Sequence, residues 1–589
     1  MTSDRRIRSD EKPNRAILLT WLAVSALITL VAWPRISHGR LPDPDDFLRL
    51  VQVRDLIAGQ GWYDLHQYRI TPPDGVLMHW SRLVDGPLYL SIQLLEPLLG
   101  QALAEQVTIF CIPLILFGLI CLVVGRLAWR LFDVETAVFA CLVLGMWPHV
   151  VQQVQPMRID HHAYQILMIA IAAWALSWRS GLRGGAAAGA AMGIGAMISL
   201  ETLPLAAGFG FVLLLRWLRD HQLRWWLVGY MKGFALTLAL VFAATRGLPD
   251  LAEHCDAISP AHIGFFVITA LATTAIATVP RLPRVATLGL FAAAGIGGVA
   301  FFGLSAPECL STPFGELDPM LRENWYLNVR EGLPIWHQTF DVAIPTLAQG
   351  LAALGAAFAI HMRERDWMRQ WWLEYALLLV VAILAGIMTF RSFAFVGVLG
   401  AIPLAWLARQ LLLRFRSAQT VMAKLFGAAL LYLVLVPSTP FVLAKRLAVE
   451  DQGSAGLVGT RDSSCDPVNA IPLLDSLPAS RLFAPLDLGP AVLLTTHHSV
   501  IASGHHRAQQ AMRDVIQGFA SVPERSRAII DRYGADYVAV CMDMYEADNY
   551  SRLGGSASLM ARLTSGNPPA WLEPVDVGGP ETLRVWKVR

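Results

Sequence analysis

Residues 1–46 read MTSDRRIRSDEKPNRAILLTWLAVSALITLVAWPRISHGRLPDPDD, and their order of charge, apolar run and acid decides the fold. Arg5, Arg6, Arg8, Lys12 and Arg15 precede an apolar stretch from Ala16 to Trp33. A basic flank stays on the cytoplasmic side, so the stretch reads as a span with its N-terminus inside. Trp33-Pro34-Arg35 follows where a signal peptide would carry small residues, so the span is expected to remain uncleaved. Asp43, Asp45 and Asp46 then emerge together on the far side.

The rest of the chain continues in this manner. It has 589 residues, 55% of them hydrophobic and 16% charged, with a mean hydropathy of +0.48. Such a composition belongs to a polytopic membrane protein. A net charge of +2, with no basic patch interleaved with aromatics, argues against a nucleic-acid partner. Apolar runs able to cross a hydrocarbon core of about 30 Å centre near Ser25, Leu116, Leu142, Ala170, Gly193, Phe209, Leu236, Ala270, Ala294, Ala353, Val380, Gly400 and Leu430. About thirteen transmembrane helices are therefore expected. Arg126 and Arg130, Arg179 and Arg183, Arg216 and Arg219, Arg281 and Arg284, the run from Arg363 to Arg369, and Arg414 and Arg416 fall in alternate loops, as cytoplasmic loops should.

An odd number of spans puts the C-terminus outside. Residues 1–444 are expected to form the membrane domain and 445–589 a small periplasmic α/β domain of a multi-pass inner-membrane protein. In that tail SRLFAPL, AVLLTT and DYVAVCM read as strands, and Ala508 to Tyr533 as helical. Two other outer loops are long, 34–85 and 305–345, and loops of that size tend to be functional. Phe47, Leu50, Val51, Val53, Leu56 and Ile57 fall mostly on one face of a helix expected to lie along the membrane surface. Cys111, Cys121 and Cys141 lie in spans and read as buried apolar residues. Cys255, Cys309, Cys465 and Cys541 are expected outside, where thiols oxidise. Three pairings are possible; Cys255 with Cys309 and Cys465 with Cys541 is the expected one.

Asp160-His161-His162 stands on the outer side just before a span. Asp160 and His162, at i and i+2, can face one divalent cation from a non-helical turn, with a carboxylate of the first outer loop completing the set. The plainer alternative is helix capping, since Asp before an apolar run is a common N-cap; this applies equally to the cluster after Pro42. His497, His498, His505 and His506 in the tail could form a second metal site, but at such spacings in strand and loop they read more readily as solvated surface. Glu201, in SLETLP, is either a membrane-boundary residue or part of a pocket.

Three separated elements, DPDDFLRLVQVRDLIAGQGW, TPPDGVLMHWSRLVDGPLYL and RIDHHAYQIL, together resemble the catalytic subunit of archaeal-type oligosaccharyltransferases, members of the GT-C glycosyltransferase superfamily. In that family an Asp six residues before Arg-Leu, a PDG…HW element and a DHH occur in this order. Here they are Asp43 before Arg49-Leu50, Asp74-Gly75 before His79-Trp80, and Asp160-His161-His162. The resemblance covers most of the membrane region and fades in the tail. It implies a GT-C-like fold and an enzyme that moves a saccharide from a polyprenyl-(pyro)phosphate donor, in the bilayer, to a lipid, glycan or protein acceptor. It also implies a divalent metal, Mn or Mg, held by Asp43, Asp160 and His162, with Asp45 and Asp46 as rivals of Asp43 for the catalytic carboxylate. Glu331 is the implied carboxylate from the second long loop, with Glu316, Asp318 and Glu323 as rivals. Arg391, in TFRSFAF, is the implied contact to the lipid phosphate, although an Arg between spans can simply snorkel. His79, Arg82, Arg158 and His161 are further candidates for phosphate or sugar contacts.

The chain departs from the family where the acceptor is read. A Trp-Trp-Asp-Tyr-Gly element that binds the sequon Ser or Thr has as its counterpart Pro485-Leu486-Asp487-Leu488-Gly489, without either tryptophan. Asparagine glycosylation is accordingly not the expected reaction. The rival functions are a transporter or flippase of lipid-linked saccharide, for which internal repeats would speak and none is seen, and a metal-independent polymerase or ligase.

Overall fold

The computed structural model describes residues 12–280, 282–310, 317–439 and 465–589. Arg5, Arg6, Arg8, Arg281, Glu316 and the expected domain boundary at 444/445 lie outside these residues.

Every one of the thirteen expected centres falls within a helix. Among the described residues nine helices are long and apolar enough to cross a membrane, and the pair Val134–Met146 and Pro148–Val154, bent by 79°, makes a tenth. The remaining centres fall in Gly181–Ile198 and in two shorter apolar helices, His162–Ala175 and Val421–Leu435. The protein is thus a polytopic helical membrane protein with a small C-terminal α/β domain.

Gly181–Ile198 owes its place to small residues. Cβ atoms at Gly185 and Gly189 would stand 2.1 and 2.0 Å from the carbonyl oxygens of Trp226 and Tyr230, and at Gly229 and Gly233 2.3 Å from those of Leu182 and Ala186. The two helices, Gly181–Ile198 and Trp225–Thr245, therefore pack backbone to backbone, the contact that small residues permit where lipid gives no hydrophobic drive to associate.

The tail carries a five-stranded sheet. With β1 (His66–Gln67) and β2 (Val76–Leu77) forming a hairpin in the first long loop, the tail strands are β3 (Arg481–Phe483), β4 (Ser499–Val500), β5 (Tyr537–Cys541), β6 (Leu572–Val575) and β7 (Leu583–Val588), in the order β4-β3-β5-β7-β6. β4, β3 and β5 run parallel, while β7 is antiparallel to both β5 and β6. Two of the expected strands stand, but AVLLTT belongs to a helix, Gly489–Thr495. Gly489-Pro490 opens it, Pro being suited to a first turn, and Ala491, Val492 and Leu493 are buried, so the apolar run carried no strand alternation. The helical stretch after Ala508 is two helices, Gln509–Ala520 and Pro523–Tyr533. Both expected disulfides are present, Cys255–Cys309 and Cys465–Cys541. Cys121 and Cys141 are buried, whereas Cys111 is only half-buried.

The first long loop is part of the tail's core. Its helix Pro44–Ile57 buries Phe47, Leu48 and Val51 with Ile471, Leu474 and Val492, and Leu50 and Val53 against Leu88 and Ile92. With two faces occupied by protein, it does not present an apolar stripe to the membrane surface. Backbone bonds extend the contact: Val500 N–H donates to Arg69 O at 2.9 Å and Thr71 N–H to Val500 O at 3.0 Å, adding a bridge Ile70↔Val500 at the β4 edge. Arg69 donates to the carbonyls of Leu493, Thr496 and His498. Buried carbonyls need such partners, so loop and tail are fixed to one another.

Candidate active site

The site is built on the turn 155–161. Trp147-Pro148 breaks the span Val134–Met146, and the short helix that follows ends at Val154. Met157 adopts φ +71°, a conformation costing a non-glycine residue about 1–2 kcal/mol. Its N–H is anchored on Ile109 O at 2.9 Å, and the reversal turns Arg158 and Asp160 back toward the first long loop.

Asp46 receives them. Its carboxylate, fully buried, accepts the N–H groups of Ile159 at 2.9 Å and Asp160 at 3.0 Å. Arg158 then reaches three carboxylates: Asp43 at 3.0 Å, Asp46 at 3.3 Å and Asp160 at 3.5 Å. Asp43 caps the helix Pro44–Ile57 by accepting Asp45 N–H at 3.0 Å. Capping and membership of the cluster therefore coexist in one residue. Burial pushes the Asp45 carboxyl well above its usual range, with Asp43 and Asp160 adding to the effect. Burial also raises Glu331, Arg391 opposing it and Asp43 reinforcing it.

Asp160 and His162 stand together. Asp160 Oδ1 accepts His161 N–H at 2.6 Å and faces His161 Nδ1 at 2.5 Å; its Oδ2 lies 3.3 Å from His162 Nε2. His162 Nδ1 is 3.0 Å from Gln165 Oε1, and Gln165 Nε2 donates to Thr202 Oγ1 at 3.1 Å. In the neutral tautomer that donates from Nδ1 to Gln165 Oε1, the lone pair of His162 Nε2 faces a carboxylate oxygen of Asp160. Two acceptors cannot satisfy one another. Among the described residues, His162 Nε2 and, 3.8 Å from its Nδ1, Glu201 Oε2 are buried without a hydrogen-bond partner. A cation between Asp160 Oδ2 and His162 Nε2 answers this arrangement: metal bonds of about 2.0–2.2 Å put neighbouring donors near the observed separation. One donor atom from each of Asp160, His161 and His162 lies within 4.8 Å of the others.

A second arm meets the first from the late spans. Phe390 N–H donates to Leu333 O at 3.0 Å, which draws the turn Arg330–Gly332 against Arg391. Arg391 pairs with Glu201, Nε donating at 2.6 Å, and with Glu331 at 3.3 Å. Glu201 is thus tied into the cluster through Arg391 and His162. From the tail, Asp487 is raised to about 6 by burial and by Asp43, and its loop is held by Glu546, which accepts the N–H groups of Leu486 and Asp487 at 2.9 Å each.

Not every sequence candidate joins this group. Arg82 is 1% exposed and locked on Asp85, Trp62 O and Asp64 O, so it braces the first long loop and has no free donor face for substrate. Asp46 is occupied by the N–H groups of Ile159 and Asp160 and by Arg158. His79 sits instead beside His505 and His506. Of the four tail histidines, His498, His505 and His506 are buried, contrary to the solvated reading, because the segment carrying them lies beneath the first long loop. Sequence reasoning overlooked Arg49, 1% exposed in its side chain, 2.8 Å from Asp85 and 3.8 Å from Asp160, with its guanidinium over the Trp80 ring. A charge inside the apolar run FLRLV was its signal.

This fold, membrane helices carrying a carboxylate cluster beside an α/β tail, is shared with oligosaccharyltransferases of solved structure. No family model matches the chain, and no curated protein matches it. Solved structures do. The apo oligosaccharyltransferase of Archaeoglobus fulgidus superposes with a TM-score of 0.66 at 14% identity, covering 96% of this chain and 73% of that one. The same organism's AglB with an inhibitory peptide and a dolichol-phosphate gives 0.64 at 14% identity, covering 95% and 72%. Its complex with Zn and sulfate gives 0.61 at 13%, covering 97% and 73%.

Proposed function

We propose that the protein transfers a saccharide from a polyprenyl-(pyro)phosphate donor to an acceptor on the outer face of the membrane, aided by a divalent metal. The observation that carries this reading is the meeting of Asp43, Asp160, His162, Glu201, Glu331 and Arg391, drawn from widely separated segments, in one connected cluster of a GT-C-like fold. Asp160 and His162 would hold the cation, with Asp43 and Glu201 the nearest further donors. Bound there, Mn2+ or Mg2+ would supply positive charge to a departing lipid phosphate. That a related fold was solved with Zn and sulfate, and again with a dolichol-phosphate, supports a cation and a phosphate on such a scaffold.

The chain's own groups divide the remaining tasks. Arg391 offers guanidinium donors to phosphate oxygens once Glu331 or Glu201 yields one. Arg158 ties Asp43, Asp46 and Asp160 together and fixes them in place, so that they need not reorganise during reaction. Asp45, whose carboxyl is raised, and Glu331 are placed to take or hold an acceptor proton. Asp487, beside Asp43, is the tail's contribution to acceptor binding. The absent tryptophans of Pro485–Gly489 favour a lipid, glycan or other protein side chain over a sequon asparagine. Disulfides in the tail and between 255 and 309 support an oxidising, periplasmic side for the site and a cytoplasmic N-terminus, in the inner membrane.

The test is to incubate purified protein with bulk lipid-linked saccharides from its own host and identify by mass spectrometry what becomes glycosylated. A new glycosylated species with loss of the lipid donor is expected. Donor that changes side in liposomes, with no transfer, would replace the enzyme with a transporter.

A further inference from the structure

Where the tail docks, four side chains from three distant segments meet outside the pocket described above. His506 Nε2 lies 2.6 Å from Asp256 Oδ2, and His79 Nδ1 lies 2.9 Å from His505 Nε2. The His79 ring centroid is 4.8 Å from that of His506 and 4.9 Å from that of His505. One donor atom each from His79, Asp256 and His506 falls within 4.8 Å of the other two.

Asp256 and His79 are each held in place by other groups. Asp256 follows Cys255, which is bridged to Cys309, and Arg507 grips both its oxygens at 2.7 and 2.8 Å. His79 is fixed through its carbonyl, which accepts from Arg246 at 2.6 Å. His505, 3% exposed, has an Nδ1 without a hydrogen-bond partner among the described residues. A cleft of about 820 Å3, lined in part by His254, Asp256, His506 and Arg507, gives a route to the group.

We propose that His79, His506 and Asp256 bind a zinc-class transition cation that fastens the tail to the loops of the membrane portion. Two imidazoles and one carboxylate suit zinc better than magnesium, which prefers oxygen donors throughout. In the tautomer that donates from Nδ1 to His505 Nε2, His79 keeps the lone pair of its Nε2 for the ion, and His505 takes the place of the outer hydrogen-bond partner that orients a ligating histidine. Arg507 shares the Asp256 carboxylate and opposes the cation electrostatically, so it weakens the site without closing it, since each carboxylate oxygen has two lone pairs.

The experiment uses full-length protein in detergent, stripped with chelator, in an Asp160→Ala background so that the pocket described above cannot contribute. Zinc alone is added, and bound metal is counted by equilibrium dialysis, with cobalt as a spectroscopic substitute. One zinc per chain, a visible d–d band of low-symmetry cobalt and a zinc-dependent rise in Tm are expected. All three should vanish in His79→Gln and His506→Ala, and Arg507→Gln should tighten zinc binding several-fold. If His506→Ala is not recovered folded, His79→Gln, which leaves the Asp256 ion pairs intact, decides. No zinc bound at millimolar concentration, or zinc retained in His79→Gln, would reduce the cluster to an ordinary ion-pair network and overturn the proposal.

Discussion

Arg391 cannot serve a lipid phosphate while both its carboxylate partners hold it, and replacing Glu331 with Gln exposes this competition. The 3.3 Å pair has side chains 25% and 29% exposed. Two unit charges at that separation attract by about 5 kcal/mol at an effective dielectric of 20 and about 1 kcal/mol at that of water. Partial exposure places the pair toward the lower figure. Glu331→Gln should therefore tighten binding of a polyprenyl phosphate, measured by fluorescence or calorimetry in EDTA, by about tenfold, since ~1.4 kcal/mol corresponds to that factor. Transfer should fall in the same variant, because the carboxylate is lost from the pocket. Unchanged or weaker lipid-phosphate binding would refute the assignment of Arg391 as the phosphate arm, and Arg391→Gln should abolish binding in both backgrounds.

Other outcomes follow from the same geometry. Arg158→Met leaves Asp43, Asp46 and Asp160 without their shared counter-charge and should cost about 3–5 kcal/mol, read as a fall in Tm that added Mn2+ partly restores. Burial and Asp487 raise the Glu546 carboxyl to about 8. A carboxyl raised on folding gives stability that is full below its unfolded value and lost as pH rises through the folded one. Tm should therefore decline from about pH 5 to above 8, and Glu546→Gln should flatten the profile; a parallel profile would contradict the shift. Gly189→Val, whose Cβ would stand 2.0 Å from Tyr230 O, should prevent recovery of folded protein, whereas Gly289→Ala, with nothing within 4 Å, should be silent in a thermal scan.

Much of this was legible because membrane proteins write their constraints in charge. Spans announce themselves by apolar length, and Arg391, Asp160 and His162 stood out as ionisable groups where such groups are expensive. Glu201 was visible but ambiguous, since its role depends on Arg391, 190 residues away. The docking of the tail was not legible: His79, Asp256 and His506 come together only through tertiary contacts, so the tail histidines read as surface and His79 as a substrate contact. Arg82 failed as a ligand candidate for a related reason, its partners being the backbone oxygens of Trp62 and Asp64 and the side chain of Asp85. The helix at AVLLTT was misread because a segment buried on all sides has no period to betray its type.

The central claim is that Asp160 and His162 hold a cation on which sugar transfer depends. Rates of transfer from a purified lipid-linked saccharide should be measured for the wild type and Asp160→Ala after chelation and again after adding Mn2+. The account predicts that wild-type transfer stops with chelator and returns with Mn2+, while Asp160→Ala remains inactive in both yet still binds polyprenyl phosphate. Transfer that persists in the chelated wild type, or that Mn2+ stimulates equally in Asp160→Ala, would contradict it.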